Sequence, residues 1–147
     1  MDNEMTLVFL AKSENEGLAR LAIMSFITEL DPMIDEVSEC KTIISEAVSN
    51  AIIHGYAHSD EPGYVTMHAI REGRKITVSI KDEGCGISNI EQAMEPLFTT
   101  KSELERSGMG FTIMESFADY LQVDSIVGKG TVITFSKNFI AVHSIAM

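Results

Sequence analysis

The sequence predicts an α/β domain built as an α+β two-layer sandwich, with helices on one face of a mixed, mostly antiparallel sheet. Three observations predict it. The chain has 147 residues, one domain's worth by the usual span of about 100–200 residues, so residues 1–147 are expected to form a single domain. Its residues are 45% hydrophobic and 22% charged, enough apolar material for a core and too much for a disordered chain. Its strand patterns fall in pairs joined by short turns, which disfavours a doubly wound parallel sheet.

The elements follow in order. Met5–Ala11 reads as a first strand. Glu14–Leu30 reads as a helix whose apolar face is Ala19, Ala22, Ile23, Phe26 and Leu30, and Asp31-Pro32 breaks it. Asp35 to about Tyr56 is a second helix. Gly63–Arg71 and Lys75–Asp82 are strands joined by Glu72-Gly73-Arg74. In the second of them Ile76, Val78 and Ile80 alternate with Thr77, Ser79 and Lys81, the mark of one buried face. Residues 83–107 form a long polar stretch, of a length that is functional or disordered in a small domain. Met109–Leu121 is a third helix, and Gln122–Val127 with Thr131–Lys137 make a last hairpin around Gly128-Lys129-Gly130. Residues 138–147 have no clear period and read as a flexible tail or an added edge.

Composition narrows the function. The formal net charge is -11. Nucleic-acid binding draws on cationic groups at phosphates, so direct nucleic-acid partners are not expected. No apolar run approaches the roughly 18 residues of a membrane span, and the acidic N-terminus does not read as a signal peptide. Neither a membrane partner nor a disulfide framework is expected, since Cys40 and Cys85 are the only cysteines, and a reducing cytoplasm is the default compartment. An acidic chain can still hold an anionic nucleotide with a metal ion, helix N-termini or a local basic loop.

Three places carry candidate chemistry. At about 100° per residue, Glu46, Asn50 and His54 fall on one stripe of the second helix. Apolar residues cover most of the remaining circumference, the pattern of a buried helix. A satisfied core network or a partly exposed edge accounts for that stripe by itself. Asp82-Glu83-Gly84-Cys85-Gly86 ends a strand; its glycines allow a ligand close to the backbone, and Asp82 can accept from an exocyclic amine. Alone, it is an ordinary glycine turn. Ser107-Gly108-Met109-Gly110-Phe111 opens a helix, where free N–H groups and the positive dipole end suit an anion. It is neither a Walker loop nor a full dinucleotide fingerprint. Lys101 and Arg106 are the only cations of residues 95–107; they either offset phosphate charge or form a solvated face. On the first helix Arg20 lies with Gly17, Met24 and Thr28 opposite the core face, a surface suited to docking a partner.

Each motif is weak alone, and their order is specific. Glu46xxxAsn50 on a helix, Asp82xGly84xGly86 after a strand, Gly108xGly110 before a helix and Gly128xGly130-Thr131 entering a strand resemble the GHKL (Bergerat) ATP-binding fold. The segment from Ser45 to Tyr56 and the small size look like the anti-sigma serine kinases of endospore-forming bacteria. The resemblance implies Mg-ATP as ligand, Asn50 as the Mg²⁺ ligand and Glu46 as general base. It implies Asp82 as reader of the adenine amine, Gly84, Gly86, Gly108 and Gly110 as the glycine boxes, and Thr131 near adenine. It implies an ATP lid at about residues 95–107. It further implies a sigma factor and an anti-anti-sigma protein, phosphorylated on serine, as partners, and a homodimer. Two alternatives stand beside a kinase: a nucleotide-dependent binding protein without phosphotransfer, and the ATP-binding domain of a histidine kinase. The first has no use for a base such as Glu46. The second lacks a separate helical hairpin bearing a phosphoacceptor histidine. A gyrase-type ATPase would need further domains.

Overall fold

The computed structural model describes residues 1–56, 63–94 and 110–140. Strand β1 (Asn3–Leu10) leads into helix α1 (Asn15–Ile27), which tightens into a 3₁₀ turn over Thr28–Leu30. Asp31 then takes a left-handed conformation at φ 47° and turns the chain before Pro32, as the sequence suggested. Helix α2 (Ile34–Ser49) continues as a π-helix over Asn50–Gly55. Strands β2 (Tyr64–Glu72) and β3 (Lys75–Asp82) form a hairpin, with Gly73 supplying its turn at φ 60°. A short helix α3 (Ile90–Ala93) is followed, beyond residues 95–109, by helix α4 (Gly110–Phe117) and the hairpin β4 (Tyr120–Ile126) and β5 (Gly130–Asn138). The expected lid at 95–107 and the residues 141–147 of the expected tail lie outside the described residues.

The five strands form one sheet in the order β1-β2-β3-β5-β4, and all four pairings are antiparallel. Their alternation sorts the side chains. Val65, Met67 and Ala69 of β2, Ile76, Val78 and Ile80 of β3, and Ile133 and Phe135 of β5 are buried on the face that the helices cover. Thr66, His68, Ser79 and Thr134 lie on the other face. Helix α2 packs against both α1 and α4, and Ile43, Ile44, Ala47 and Val48 on it are fully buried. Cys40 is buried with them, and burial pushes its thiol up to about 12, so it serves as an inert packing residue.

Of the boundaries that differ from the sequence reading, three show tertiary pairing overriding local pattern. The first strand starts at Asn3, since Asn3 and Glu4 pair with Arg71 and Ile70. The third helix stops at Phe117 instead of Leu121: Asp119 donates its N–H to Ser136 O at 2.9 Å, and Tyr120 and Leu121 pair with Ser136 and Phe135 of β5. The first residues of the expected tail belong to the body, with Asn138 in β5, Phe139 buried and Ile140 hydrogen-bonded.

Two side chains close this lower end of the molecule. Arg74, in the β2–β3 turn, donates to the carbonyls of Leu30, Phe139 and Ile140. Glu36, buried in the first turn of α2, accepts from Met33 N and Ile140 N, each at 2.9 Å. It thus caps α2 and holds the end of the last strand with one carboxylate. Glu36→Ala removes the cap and leaves a partly buried N–H without its acceptor. It should cost about 1–3 kcal/mol, and thermal unfolding should show the midpoint falling by about 2–4 °C for each kcal/mol.

Candidate functional site

The site is assembled where the end of the catalytic-candidate helix meets the end of β3. Gly55, at the end of the π-helix, is buried against Asp82: a Cβ on it would come 2.9 Å from the Asp82 Cγ. Gly84 approaches more closely still, since a Cβ there would fall 1.8 Å from Gly55 O. The contact is sealed by Cys85 N donating to Gly55 O at 2.7 Å. Gly86 takes φ 77°, and Gly128 N donates to Cys85 O at 2.8 Å, binding the turn to the β4–β5 hairpin. Gly130, at φ 132°, lies so close to Asp82 O that a Cβ would be 2.1 Å away. At Gly84, Gly86 and Gly130 a Cβ would strike backbone, so three segments converge as bare main chain.

Asp82 is the polar centre of that convergence. Its side chain is 4% exposed. Gly84 N donates to Oδ1 at 2.9 Å, and the Thr131 N–H also faces the carboxylate. Burial pushes the carboxyl above its ordinary value, and the Gly84 and Thr131 N–H groups pull the other way. An ionised carboxylate has about four acceptor positions, so these two leave capacity for a ligand's amine. Thr131 is buried and lies opposite Asp82 in the ladder. Its Oγ1 is 2.8 Å from Ser125 Oγ, which accepts from Ile87 N at 2.7 Å and also reaches Gly130 O at 3.0 Å. Ser125 thus ties the glycine turn to Thr131.

At the other end stand Glu46 and Asn50. Both are half-buried on the helix, Glu46 within α2 and Asn50 at the junction with the π-helix. From Asn50 the backbone bonds lengthen to the π pattern, as in Tyr56 N to Ala51 O at 3.2 Å. Glu46 and Asn50 are thus one α-helical turn apart, whereas His54 follows within the wider π turn. A Cβ on Gly110 would come 3.0 Å from Glu46 Oε2, so the carboxylate lies against the opening of α4. Phe111 buries its ring in the core, which leaves its backbone alone to serve a ligand. Lys101, Ser107, Gly108 and Met109 lie outside the described residues.

The donor set suits Mg-nucleotide. Among the described residues no three His, Cys, Asp or Glu converge as a metal cage. Mg²⁺ does not need one, since it takes one or two protein oxygens and keeps phosphate oxygens and waters. Asn50 offers such an oxygen one helical turn from Glu46.

Arg20 is less isolated than its sequence position suggested. It is half-buried, donates to Glu16 Oε1 at 2.6 Å and Ser45 Oγ at 3.1 Å, and Ser49 donates to Glu16 Oε2 at 2.8 Å. The wheel placed it on a solvent face, but α2 runs alongside; Leu18, Leu21 and Ser25 are the exposed residues of α1. Tyr56, Ser125 and Gly55 went unnoticed as site residues. A glycine directly after an apolar helix signals Gly55; no local pattern signals Ser125.

Comparison with known proteins agrees with this geometry. A family profile described as a histidine kinase-like ATPase domain matches residues 9–137. An anti-sigma F factor of Lysinibacillus sphaericus is 62% identical over 147 residues, all of both chains. Another, from Clostridium acetobutylicum, is 55% identical over 139 residues, covering 95% of this chain and 96% of that protein. In fold, the RsbU and RsbW domains of Rv1364c from Mycobacterium tuberculosis superpose with a TM-score of 0.67 at 17% identity, over 93% of this chain and 32% of theirs. No described helix is long and apolar enough to cross a membrane.

The raised Asp82 carboxyl sets a pH dependence. A folded-state value above the unfolded 3.8 means that this group's contribution to stability is fully present below 3.8 and is lost as pH rises through the raised value. Thermal unfolding of the nucleotide-free protein should show that loss over this window, and Asp82→Asn should remove that component of the profile. A ligand amine needs the ionised acceptor, so if adenine is held by Asp82, affinity for ADP should rise with pH across the same window.

Proposed function

Since the chain belongs to the histidine kinase-like ATPase family and, among its members, to the anti-sigma F factors, we propose that it is an anti-sigma factor and serine protein kinase. In this reading it binds a sporulation sigma factor, blocks its use by RNA polymerase, and phosphorylates a serine of an anti-anti-sigma partner with Mg-ATP. It does so in the cytoplasm, as a homodimer. The observation that carries the kinase reading is Glu46 against Gly110, a carboxylate at the mouth of a helix that opens in glycine.

The residues divide the work. Asp82, with Gly84 and Thr131, accepts the adenine amine; guanine presents a carbonyl there and leaves the buried carboxylate unmatched, a discrimination of a few kcal/mol, on the order of that for other unmatched buried polar groups. Backbone N–H groups at the start of α4 face the phosphates, and Asn50 would hold Mg²⁺. The metal, when bound, offsets phosphate charge that this acidic chain does not neutralise by itself. Glu46 accepts the proton of the incoming serine hydroxyl. The identity to anti-sigma F factors favours this reading over a histidine-kinase role, and a pure binder has no use for the base.

Three measurements test the reading. With Mg-ATP and a candidate anti-anti-sigma protein, label should appear on a partner serine. Glu46→Gln should bind Mg-ATP nearly normally while single-turnover transfer falls by about 10²–10⁴-fold, the usual contribution of a general base. Transfer at the wild-type rate would remove the base. Arg20→Ala should weaken binding of the sigma factor or the anti-anti-sigma partner and leave ATP affinity unchanged. Its pair with Glu16 is partly exposed and contributes little to stability, so the loss reports docking.

A further inference from the structure

Tyr56 immediately follows the π-helix. Its ring lies against Gly63: a Cβ on Gly63 would come 2.3 Å from Tyr56 Cε1, so this glycine is bare to admit the ring. The hydroxyl donates to Tyr64 O at 2.7 Å and accepts from Glu83 N at 2.8 Å. One phenol therefore joins the end of the helix that carries Glu46 and Asn50, the start of β2, and the residue directly after Asp82. Burial holds the phenol above its ordinary value, so it stays protonated and keeps both roles, donor and acceptor.

We infer that Tyr56 is a positioning residue for the nucleotide, acting through the Glu83 N–H to hold the Asp82 carboxylate in register with the Asn50 end of the site. The inference rests on the reading of Asp82 as the adenine acceptor. Cross-links on either side of Gly84 span the gap between helix end and strand end: on one side Cys85, whose N–H donates to Gly55 O and whose Sγ donates to His54 O at 3.3 Å, and on the other the Tyr56 hydroxyl. They flank Gly84, whose N–H orients Asp82 Oδ1. Without the hydroxyl, the strand end is pinned on one side only and the carboxylate gains freedom that binding must remove. The mechanism differs from general stabilisation because the benefit is delivered through Asp82.

Tyr56→Phe keeps the ring and deletes both hydrogen bonds. Titration with Mg-ADP should show affinity falling roughly three- to tenfold, the range for one or two modest hydrogen bonds. A double-mutant cycle separates positioning from bulk stability. In an Asp82→Asn background, Tyr56→Phe should change Mg-ADP affinity little, because the acceptor it positions is gone. Amide exchange at Glu83 in the nucleotide-free protein should quicken in Tyr56→Phe, which checks the hydrogen bond independently. Wild-type affinity in Tyr56→Phe, or full additivity with Asp82→Asn, overturns the inference and leaves the adenine assignment standing. If Asp82→Asn alone binds Mg-ADP like wild type, the adenine assignment itself fails.

Discussion

The structure depends on one close approach: the carbonyl of Gly55 against the turn at Gly84 and Cys85. A helix and a strand do not come this near through side chains. They do so only where both sides are bare and a backbone hydrogen bond closes the gap. Here the contact joins the helix bearing Glu46 and Asn50 to the strand bearing Asp82, so the two ends of the site share one rigid reference. Gly130 against Asp82 O repeats the device from the opposite side. The glycines of the site are thus structural twice over: they leave room for a ligand, and they let the walls meet each other.

A second constraint follows from burial. Asp82 is held almost out of water beside two N–H donors, and its burial is still unfavourable to the charge. The core would be simpler without it. Such a group is explained by what it does for a bound partner, at some cost to the empty fold. The π-helix at Asn50 is a parallel case: a widened turn placed where the helix passes from core to site.

Much of this was legible in the sequence. Strand alternation in Lys75–Asp82 marked the buried face, and Ile76, Val78 and Ile80 are all buried. The glycine spacing after Asp82, together with Glu46, Asn50 and the Gly110 region, identified the family, because motif order is a stronger constraint than any single motif. What was not legible came from long-range pairing. The helical pattern through Leu121 lost to an open edge of β5, and Arg20 looked isolated because its partner Ser45 comes from another helix, as does Ser49, which bonds Glu16. The π turn over Asn50–Gly55 was not legible either, since nothing local announces one. Tyr56 read as the end of a helix; its hydroxyl's two acceptor and donor partners lie 8 and 27 residues away.

The strand order has a consequence for how the protein is made. β5 is the last strand in sequence, yet it lies between β3 and β4, and it supplies Thr131 opposite Asp82. A nascent chain that has emerged only through β4 has an unpaired edge on β3 and no Thr131 opposite Asp82. The candidate site and the sheet are therefore completed in one event, the seating of β5, and the Arg74 and Glu36 clamps on residues 139 and 140 close only after that strand is in place.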